Sequence, residues 1–303
     1  MKITVTDTEN GLTVKQYLEK QKYSTRLISR LKAKERGITV NGERKTVRWV
    51  LKAGDLLELE TEDSRSSENI TPCHIPINVL YEDDWFIAVE KPAHLPIHPS
   101  RRHTDDTLAS RVMAHFEGRN FVFRVMTRLD LDTSGVVLIA KDSISAARFS
   151  KMLAERRVHK EYIAICDGIF EEKSGIIDFN IRRKTPYGME REAVERADGK
   201  GESSAEGCEA VSEYRVIREG NNVSLVRFTP ITGRTHQLRV HALAIGHPII
   251  ADTLYFKGSS YIDRQALHAE SLTFVHPMTE ESITVRCPLS QDMKLCEREL
   301  FDE

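Results

Sequence analysis

One stretch constrains this chain of 303 residues more than any other. The octet Arg128–Gly135, Arg-Leu-Asp-Leu-Asp-Thr-Ser-Gly, is polar and turn-prone, and it runs directly into the apolar segment Val136–Ala140. Such a short apolar run between a glycine and a lysine predicts a buried strand with a polar loop at its mouth. Arg128 and Asp130 are two residues apart, so on extended backbone they point to the same face. Loops held by rigid strands commonly carry reactive groups, although the octet also fits an ordinary turn with a solvated arginine.

Length and composition indicate a globular protein of about two domains. Of the residues 40% are hydrophobic, which is enough for a packed core, and no apolar run approaches the ~18 residues of a membrane helix. Met1–Asn10 lacks the basic-then-apolar pattern of a signal peptide, so we expect a cytoplasmic protein with no membrane partner. The five cysteines form no C-x-x-C pair, which indicates neither a zinc site nor a disulfide framework.

The charge of the chain is unevenly distributed. The net charge is only −2, which does not suggest a generic nucleic-acid-binding protein, yet Leu12–Asp55 holds 12 Lys and Arg against 4 Asp and Glu. A basic module beside an acidic body is the asymmetry expected when one domain docks on phosphates.

The basic segment has clear signals for small structural elements. We expect a short strand in Met1–Val5, a helix over Leu12–Lys20 with Thr13 as its N-cap, and a second helix from Ser24 to a stop near Gly37. The strand Ile38–Val40 then enters an Asn-Gly turn, a strong hairpin signal.

This helix–helix–hairpin layout resembles the RNA-binding module shared by a ribosomal small-subunit protein and tyrosyl-tRNA synthetases. The matching features include Val40-Asn41-Gly42 and Lys52-Ala53-Gly54-Asp55. The resemblance implies that a group of basic side chains binds RNA, although a solvated basic helix face without a ligand remains the alternative. The predicted RNA-binding residues of the module are Arg26, Arg30, Lys32, Lys34 and Lys52.

A polar stretch divides the chain into the segments that we predict as domains. Thr61–Pro76 is rich in serine and glutamate and ends in prolines, as linkers commonly do. We therefore expect an α+β RNA-binding module at residues 1–60, a linker at 61–76 and a larger domain at 77–303.

A second rich stretch is Pro230–His241, which contains a Gly-Arg-Thr-His-Gln-Leu-Arg run. Its two histidines are five residues apart, a spacing that turns them away from each other on a strand or a helix, so we predict no metal site. A glycine-containing turn followed by cationic and polar groups fits anion binding better. A hydrogen-bonded helix start is the alternative interpretation.

Taken together, the motifs resemble the RluA family of pseudouridine synthases. The family pattern His-Arg-Leu-Asp-x-x-Thr-Ser-Gly is matched here except at Thr127, where the family commonly has His. Lys91-Pro92, Lys160-x-Tyr162 and the run Pro230–His241 resemble further family motifs. The resemblance implies an α+β fold whose central sheet is mixed and mainly antiparallel, with flanking helices.

The resemblance also implies a reaction and roles for particular residues. Asp130 would be the nucleophile in uridine isomerisation, which is redox-neutral and needs no cofactor or metal. Arg234 would pair with that carboxylate, and Tyr162 would lie against the base. Arg128 would hold the displaced duplex or a phosphate, and the remaining predicted RNA contacts are His236, Gln237 and Arg239.

The expected partner is structured RNA, with large-subunit ribosomal RNA favoured over transfer RNA, and a monomer is expected. Two other functions fit parts of the sequence. One is a non-catalytic RNA-binding or ribosome-assembly protein. The other is a hydrolase with Ser134 as nucleophile and His236 as base, although the chain lacks a G-x-S-x-G elbow around that serine.

Overall fold

The computed structural model describes residues 2–302 except 22, 24, 61–66, 68–69, 101–103, 196–206 and 257–260. The side chain of Arg26 and half of the predicted linker Thr61–Pro76 therefore lie outside the described residues. The described strands form a four-stranded sheet and an eleven-stranded sheet.

The smaller sheet belongs to the basic N-terminal segment. Thr13 caps the first helix by accepting the Gln16 N–H, and Asn41 and Gly42 both have positive φ, as a tight hairpin turn requires. These observations confirm the predicted elements. In chain order they are β1 (Lys2–Thr4), α1 (Val14–Lys20), α2 (Thr25–Ala33), β2 (Ile38–Val40), β3 (Glu43–Arg44) and β4 (Leu56–Leu59), with the strands ordered β1-β4-β2-β3.

The larger sheet carries the rest of the chain. Its main path is β11-β10-β12-β13-β9-β14-β8-β6-β5, and among the described strands only β14 and β8 pair in parallel. The sheet is therefore mixed and mainly antiparallel, which confirms the predicted fold class. The elements are β5 (Asn78–Glu82), β6 (Phe86–Lys91), α3 (Leu108–His115), β7 (Arg124–Val125), β8 (Ser134–Ala140), α4 (Ser143–Ala154), β9 (Val158–Asp167), β10 (Ser174–Arg183), β11 (Arg191–Val194), β12 (Cys208–Glu219), β13 (Val223–Pro230), α5 (Gln237–Ala244), β14 (Leu267–Val275), β15 (Ser282–Arg286) and α6 (Gln291–Phe301).

Strand β8 is buried along its whole length because both faces of the sheet are covered. Val136 and Leu138 pack into one hydrophobic cluster with residues of α4, whereas Val137 and Ile139 pack into a second cluster with residues of α3. Alternate side chains thus enter two different cores, which explains why the sequence shows an unbroken apolar run rather than an alternating one.

The strand order brings three distant parts of the chain together. Ala269 on β14 pairs with Gly135 of β8 on one side and with Tyr162 of β9 on the other. Gly135 has a φ of 121°, and a Cβ at this position would lie 2.3 Å from the Ala269 carbonyl oxygen. Glycine is therefore required here for the polar loop to reach Tyr162.

Helix α4 links the two sheets. Asp142 caps it by accepting the Ile144 and Ser145 N–H groups, and the Ile144 side chain is part of the hydrophobic core of the N-terminal module. The Arg148 guanidinium lies over the Tyr23 ring at 5.2 Å, which adds a second contact to the same module. Within the described ranges, no helix is both long and apolar enough to cross a membrane.

Candidate active site

A cleft of about 560 Å³ opens where the loop before β8, strand β9 and the segment after β13 meet. Residues 126–130, Tyr162 and residues 230–239 all contribute to its walls. The two sequence stretches that we singled out are therefore neighbours in space, as a shared site requires.

Asp130 lies in the wall of this cleft. A turn in which the Thr133 N–H donates to the Asp130 carbonyl shapes the loop, and the Asp130 side chain keeps 27% of its surface exposed. Its Oδ2 accepts a hydrogen bond from Arg239 Nη1 at 3.1 Å. The carboxylate is thus both oriented by a cation and open to the cleft.

Arg239 is fixed by a second carboxylate. Its Nε and Nη2 each lie 2.7 Å from an oxygen of Asp252, a bidentate pair that leaves Nη1 for Asp130. Burial lowers the pKa of Arg239, but the hydrogen bonds and charges of Asp252 and Asp130 outweigh burial and raise that pKa above its usual value. The Arg239 side chain is buried and three of its N–H groups bond these carboxylates, so its structural partners are Asp130 and Asp252, and its predicted RNA contact stays a prediction.

The prediction that Arg234 pairs with Asp130 is also contradicted. Arg234 is exposed at the cleft, and its Nε donates to the Glu209 carbonyl oxygen at 2.8 Å. The cause is local. Helix α5 begins at Gln237 after a left-handed residue at His236, so Arg239 on its first turn faces Asp130 while Arg234 stays on the preceding loop.

Tyr162 projects from β9 into the same cleft. Burial and, to a smaller extent, the charge of Asp130 raise the pKa of its hydroxyl above the usual range. The phenol therefore keeps its proton at neutral pH. A neutral aromatic ring in the cleft wall can pack against another flat ring.

His236 and Gln237 follow each other in sequence but differ in accessibility. His236 Nε2 lies 3.9 Å from Asp130 Oδ2, and Nδ1 is 2.8 Å from the Tyr255 hydroxyl; burial lowers the pKa of His236 although the Asp130 charge opposes it. Gln237 is buried. Its side-chain oxygen accepts a hydrogen bond from the Thr232 hydroxyl, and its side-chain nitrogen donates to the Val211 carbonyl oxygen. Gln237 thus holds the loop, and its predicted RNA contact is contradicted.

Arg128, the first residue of the octet, and Thr127, the residue before it, differ in exposure. Arg128 is exposed at the cleft, where its predicted role in holding RNA stays a prediction. Thr127 is nearly buried, and its hydroxyl accepts the Leu138 N–H at 2.9 Å. The residue that replaces the family His is therefore tied to strand β8.

The sequence did not predict Arg264, a buried residue that bonds the loop on its side away from the cleft. The Arg264 side chain is fully buried and donates to the carbonyl of Asp132, to the hydroxyl of Ser134 and to both oxygens of Asp292. No local signal marked this lone arginine, because its partners are up to 132 residues away in the chain.

A second buried cation supports the same loop. Lys91 is 0% exposed, and its ammonium donates to the carbonyls of Pro92, Leu95 and Leu131 at 2.7–2.9 Å. Burial lowers its pKa to about 7, against the opposing charges of Asp132 and Asp130. We noted Lys91 only as part of a motif, and its position joins that motif to the octet.

The structure contradicts the hydrolase alternative. Ser134 is fully buried, and its hydroxyl lies 2.8 Å from His268 Nδ1, not near His236. The histidines of the second stretch also diverge, since His241 is buried and bonds Ser212. Among the residues that the structure describes, no group of three or more His, Cys, Asp or Glu side chains is arranged to hold a metal ion.

The site is thus a polar cleft on a mixed sheet, with a carboxylate oriented by a guanidinium and a tyrosine in the wall. Comparison with known proteins supplies the class of enzyme. Residues 85–244 match the model of the RNA pseudouridylate synthase family, and the chain belongs to this family. It is therefore an RNA pseudouridine synthase.

Individual relatives span nearly the whole chain. The uncharacterized RNA pseudouridine synthase YjbO of Bacillus subtilis is 34% identical over 93% of this chain and 97% of its own length. The ribosomal large subunit pseudouridine synthase D of Zymomonas mobilis is 31% identical over 81% of this chain and 79% of its own. The solved structure of human RNA pseudouridylate synthase domain containing 1 is 29% identical, with a TM-score of 0.57 over 73% of this chain and 87% of that one.

Proposed function

We propose that the enzyme converts specific uridines of large-subunit ribosomal RNA to pseudouridine, with Asp130 as the nucleophile. The observation that carries the proposal is the Asp130 carboxylate in the cleft, held 3.1 Å from the Arg239 guanidinium and facing the same space as Tyr162. The choice of ribosomal RNA is supported by relatives whose names specify the large subunit, including the Zymomonas mobilis and Xanthomonas campestris enzymes.

The chemistry needs a nucleophile, a way to hold the base and no redox partner. Breaking the N-glycosidic bond frees the uracil, which must turn and form a carbon bond to the same ribose. A carboxylate that forms a covalent intermediate divides this change into two easier steps. Arg239 orients the Asp130 oxygen that attacks, and the Tyr162 ring packs against the uracil.

The target uridine must leave its stack to reach Asp130, because a base inside a duplex is inaccessible to the cleft. Unstacking costs a few kcal/mol and is easiest in loops and bulges, so we expect a target in an irregular region of the RNA. Exposed cations at the cleft, including Arg128 and Arg234, supply positive charge for the surrounding backbone.

The experiment combines activity with substrate choice. Purified protein is incubated with unmodified transcripts of large-subunit ribosomal RNA and of transfer RNA that carry tritium at C5 of uridine. We expect tritium release from the ribosomal transcript, and the modified position is then mapped and compared with RNA from a deletion strain. Release only from transfer RNA would change the proposed substrate, and binding without release would favour the non-catalytic alternative.

A further inference from the structure

The Lys160 side chain has no counter-charge among the described residues. Lys160 lies on β9 two residues before Tyr162, so both side chains point to the same face and line the cleft. The Lys160 ammonium takes part in no hydrogen bond or ion pair with the described residues, and burial lowers its pKa. An ammonium that is partly withdrawn from water and has no protein partner can bind an anion that enters the cleft.

Two acidic residues of the neighbouring strands have other partners. Glu161, next to Lys160 on β9, points to the opposite face of the sheet and accepts from the Ser271 hydroxyl at 2.8 Å. Glu209 on β12 pairs with Arg156 at 2.6 Å.

The surroundings of the ammonium leave room for a ligand. The nearest atom that a Cβ on Gly233 would meet is Lys160 Nζ, at 3.6 Å, which places the ammonium beside the exposed backbone of the 230–236 loop. Two residues along a strand span about 7 Å, so the Cα atoms of Lys160 and Tyr162 lie about that far apart. An anion bound there belongs to the nucleotide on Tyr162 or to its immediate neighbour.

We propose that Lys160 binds a backbone phosphate beside the target uridine and so positions the flipped nucleotide between Asp130 and Tyr162. The inference rests on the proposed function, because RNA is what brings the phosphate. Its contribution is to binding and placement, and the bond-breaking steps remain with Asp130.

The test replaces Lys160 with Met, which keeps the length of the side chain and removes the charge. Binding of the unmodified ribosomal transcript is measured by filter retention at several KCl concentrations, and KM and kcat by tritium release. We expect about a tenfold rise in Kd and KM, kcat within about threefold of wild type, and a salt slope smaller by about 0.7–0.9. Lys160→Arg keeps most of the affinity and slope, and Lys294→Met on the exposed face of α6 is the matched control.

Stability distinguishes this role from a structural one. Because the ammonium is desolvated without a partner, Lys160→Met is expected to unfold at the same temperature as the wild type or higher. A fall of several degrees, or an unchanged Kd and salt slope in an active preparation, overturns the assignment. If the wild-type chain itself releases no tritium from any RNA, the proposed function fails instead.

A chemical variant of the RNA identifies the phosphate. Once the target is mapped, a neutral methylphosphonate is placed on either side of it. At one of the two positions, the neutral linkage is expected to weaken wild-type binding as much as the Lys160→Met substitution does. At that same position, the neutral linkage is expected to weaken binding by Lys160→Met no further. If the affinity losses from Lys160→Met and from the neutral linkage add up at both positions, the proposed contact is contradicted.

Discussion

At the scale of single residues, the site depends on fixed cations behind and beneath a short loop. Arg239 meets Asp130 because Asp252 holds its other two guanidinium nitrogens. Lys91 donates to the carbonyl of Leu131 and Arg264 to the carbonyl of Asp132, the two central residues of the same turn. The position of the Asp130 carboxylate is thus determined by Arg239 in the cleft wall and by two buried cations that hold the loop backbone.

Arg264→Met tests this support. Removing the guanidinium leaves the carbonyls of the loop, the Ser134 hydroxyl and Asp292 without their donor in a buried region, which typically costs about 3 kcal/mol or more. We expect a fall of that size in the free energy of unfolding, measured with urea, and a slower tritium release from the folded fraction. A fall of less than 1 kcal/mol in the free energy of unfolding, with full activity, would show that the loop keeps its conformation without Arg264.

The sequence predicts Asp130 and Tyr162 at one site because each stands in a motif that resembles a motif of the family. It does not distinguish Arg234 from Arg239, which are five residues apart in one cationic stretch. The choice depends on the left-handed backbone of His236 and on where α5 begins, and neither has a local signal stronger than the alternatives. Arg264 was unpredictable because its contacts are almost all distant in sequence.

At the scale of elements, the parallel pair of β8 and β14 places the loop of Asp130 beside Tyr162. The apolar run Val136–Ala140 was sufficient to predict β8, which begins two residues earlier at Ser134. The neighbour of β8 was not predictable in the same way, because β14 begins 127 residues after β8 ends. Pairing between such distant strands is decided by the fold as a whole.

Gly135→Ala is the sharpest probe of this pair. The added Cβ would meet the Ala269 carbonyl oxygen at 2.3 Å on backbone that alanine rarely adopts, so the strands must separate. We expect a loss of at least about 3 kcal/mol in unfolding free energy, since both a clash and an unfavourable φ contribute.

Gly118→Ala is the matched control for that substitution. Gly118 also has positive φ, but a Cβ there meets nothing within 4 Å, so only the backbone strain of about 1–2 kcal/mol applies. Equal losses at the two glycines would mean that the close approach of β8 and β14 contributes nothing.

At the scale of the whole molecule, α4 connects the basic module with the cleft. Its first turn buries Ile144 in the core of the module, and Leu153 and Ala154 at its other end line the cleft. The surface that we predict to bind RNA on the module is thus joined to the cleft by a single helix. The composition predicted the charge asymmetry, but the contact through Ile144 followed only from the structure.

Reversing the charge of exposed lysines in the module tests the first of these places. Lys32→Glu with Lys52→Glu is expected to weaken binding of the full ribosomal transcript at least tenfold and to reduce its salt slope by about 2. Tritium release from a short RNA hairpin that contains only the target region should change little. Equal losses on both RNAs would place these lysines in the catalytic step instead.

The most direct test of the account compares two aspartates of one loop. Asp132 lies two residues from Asp130, and its carboxylate contacts His94 at 2.9 Å. Single-turnover tritium release is measured for Asp130→Asn and Asp132→Asn with the same C5-labelled RNA. The account predicts a fall of roughly a thousandfold or more for Asp130→Asn and a rate within about tenfold of wild type for Asp132→Asn. Release by Asp130→Asn at a rate close to that of the wild type would contradict the role of Asp130 as the nucleophile.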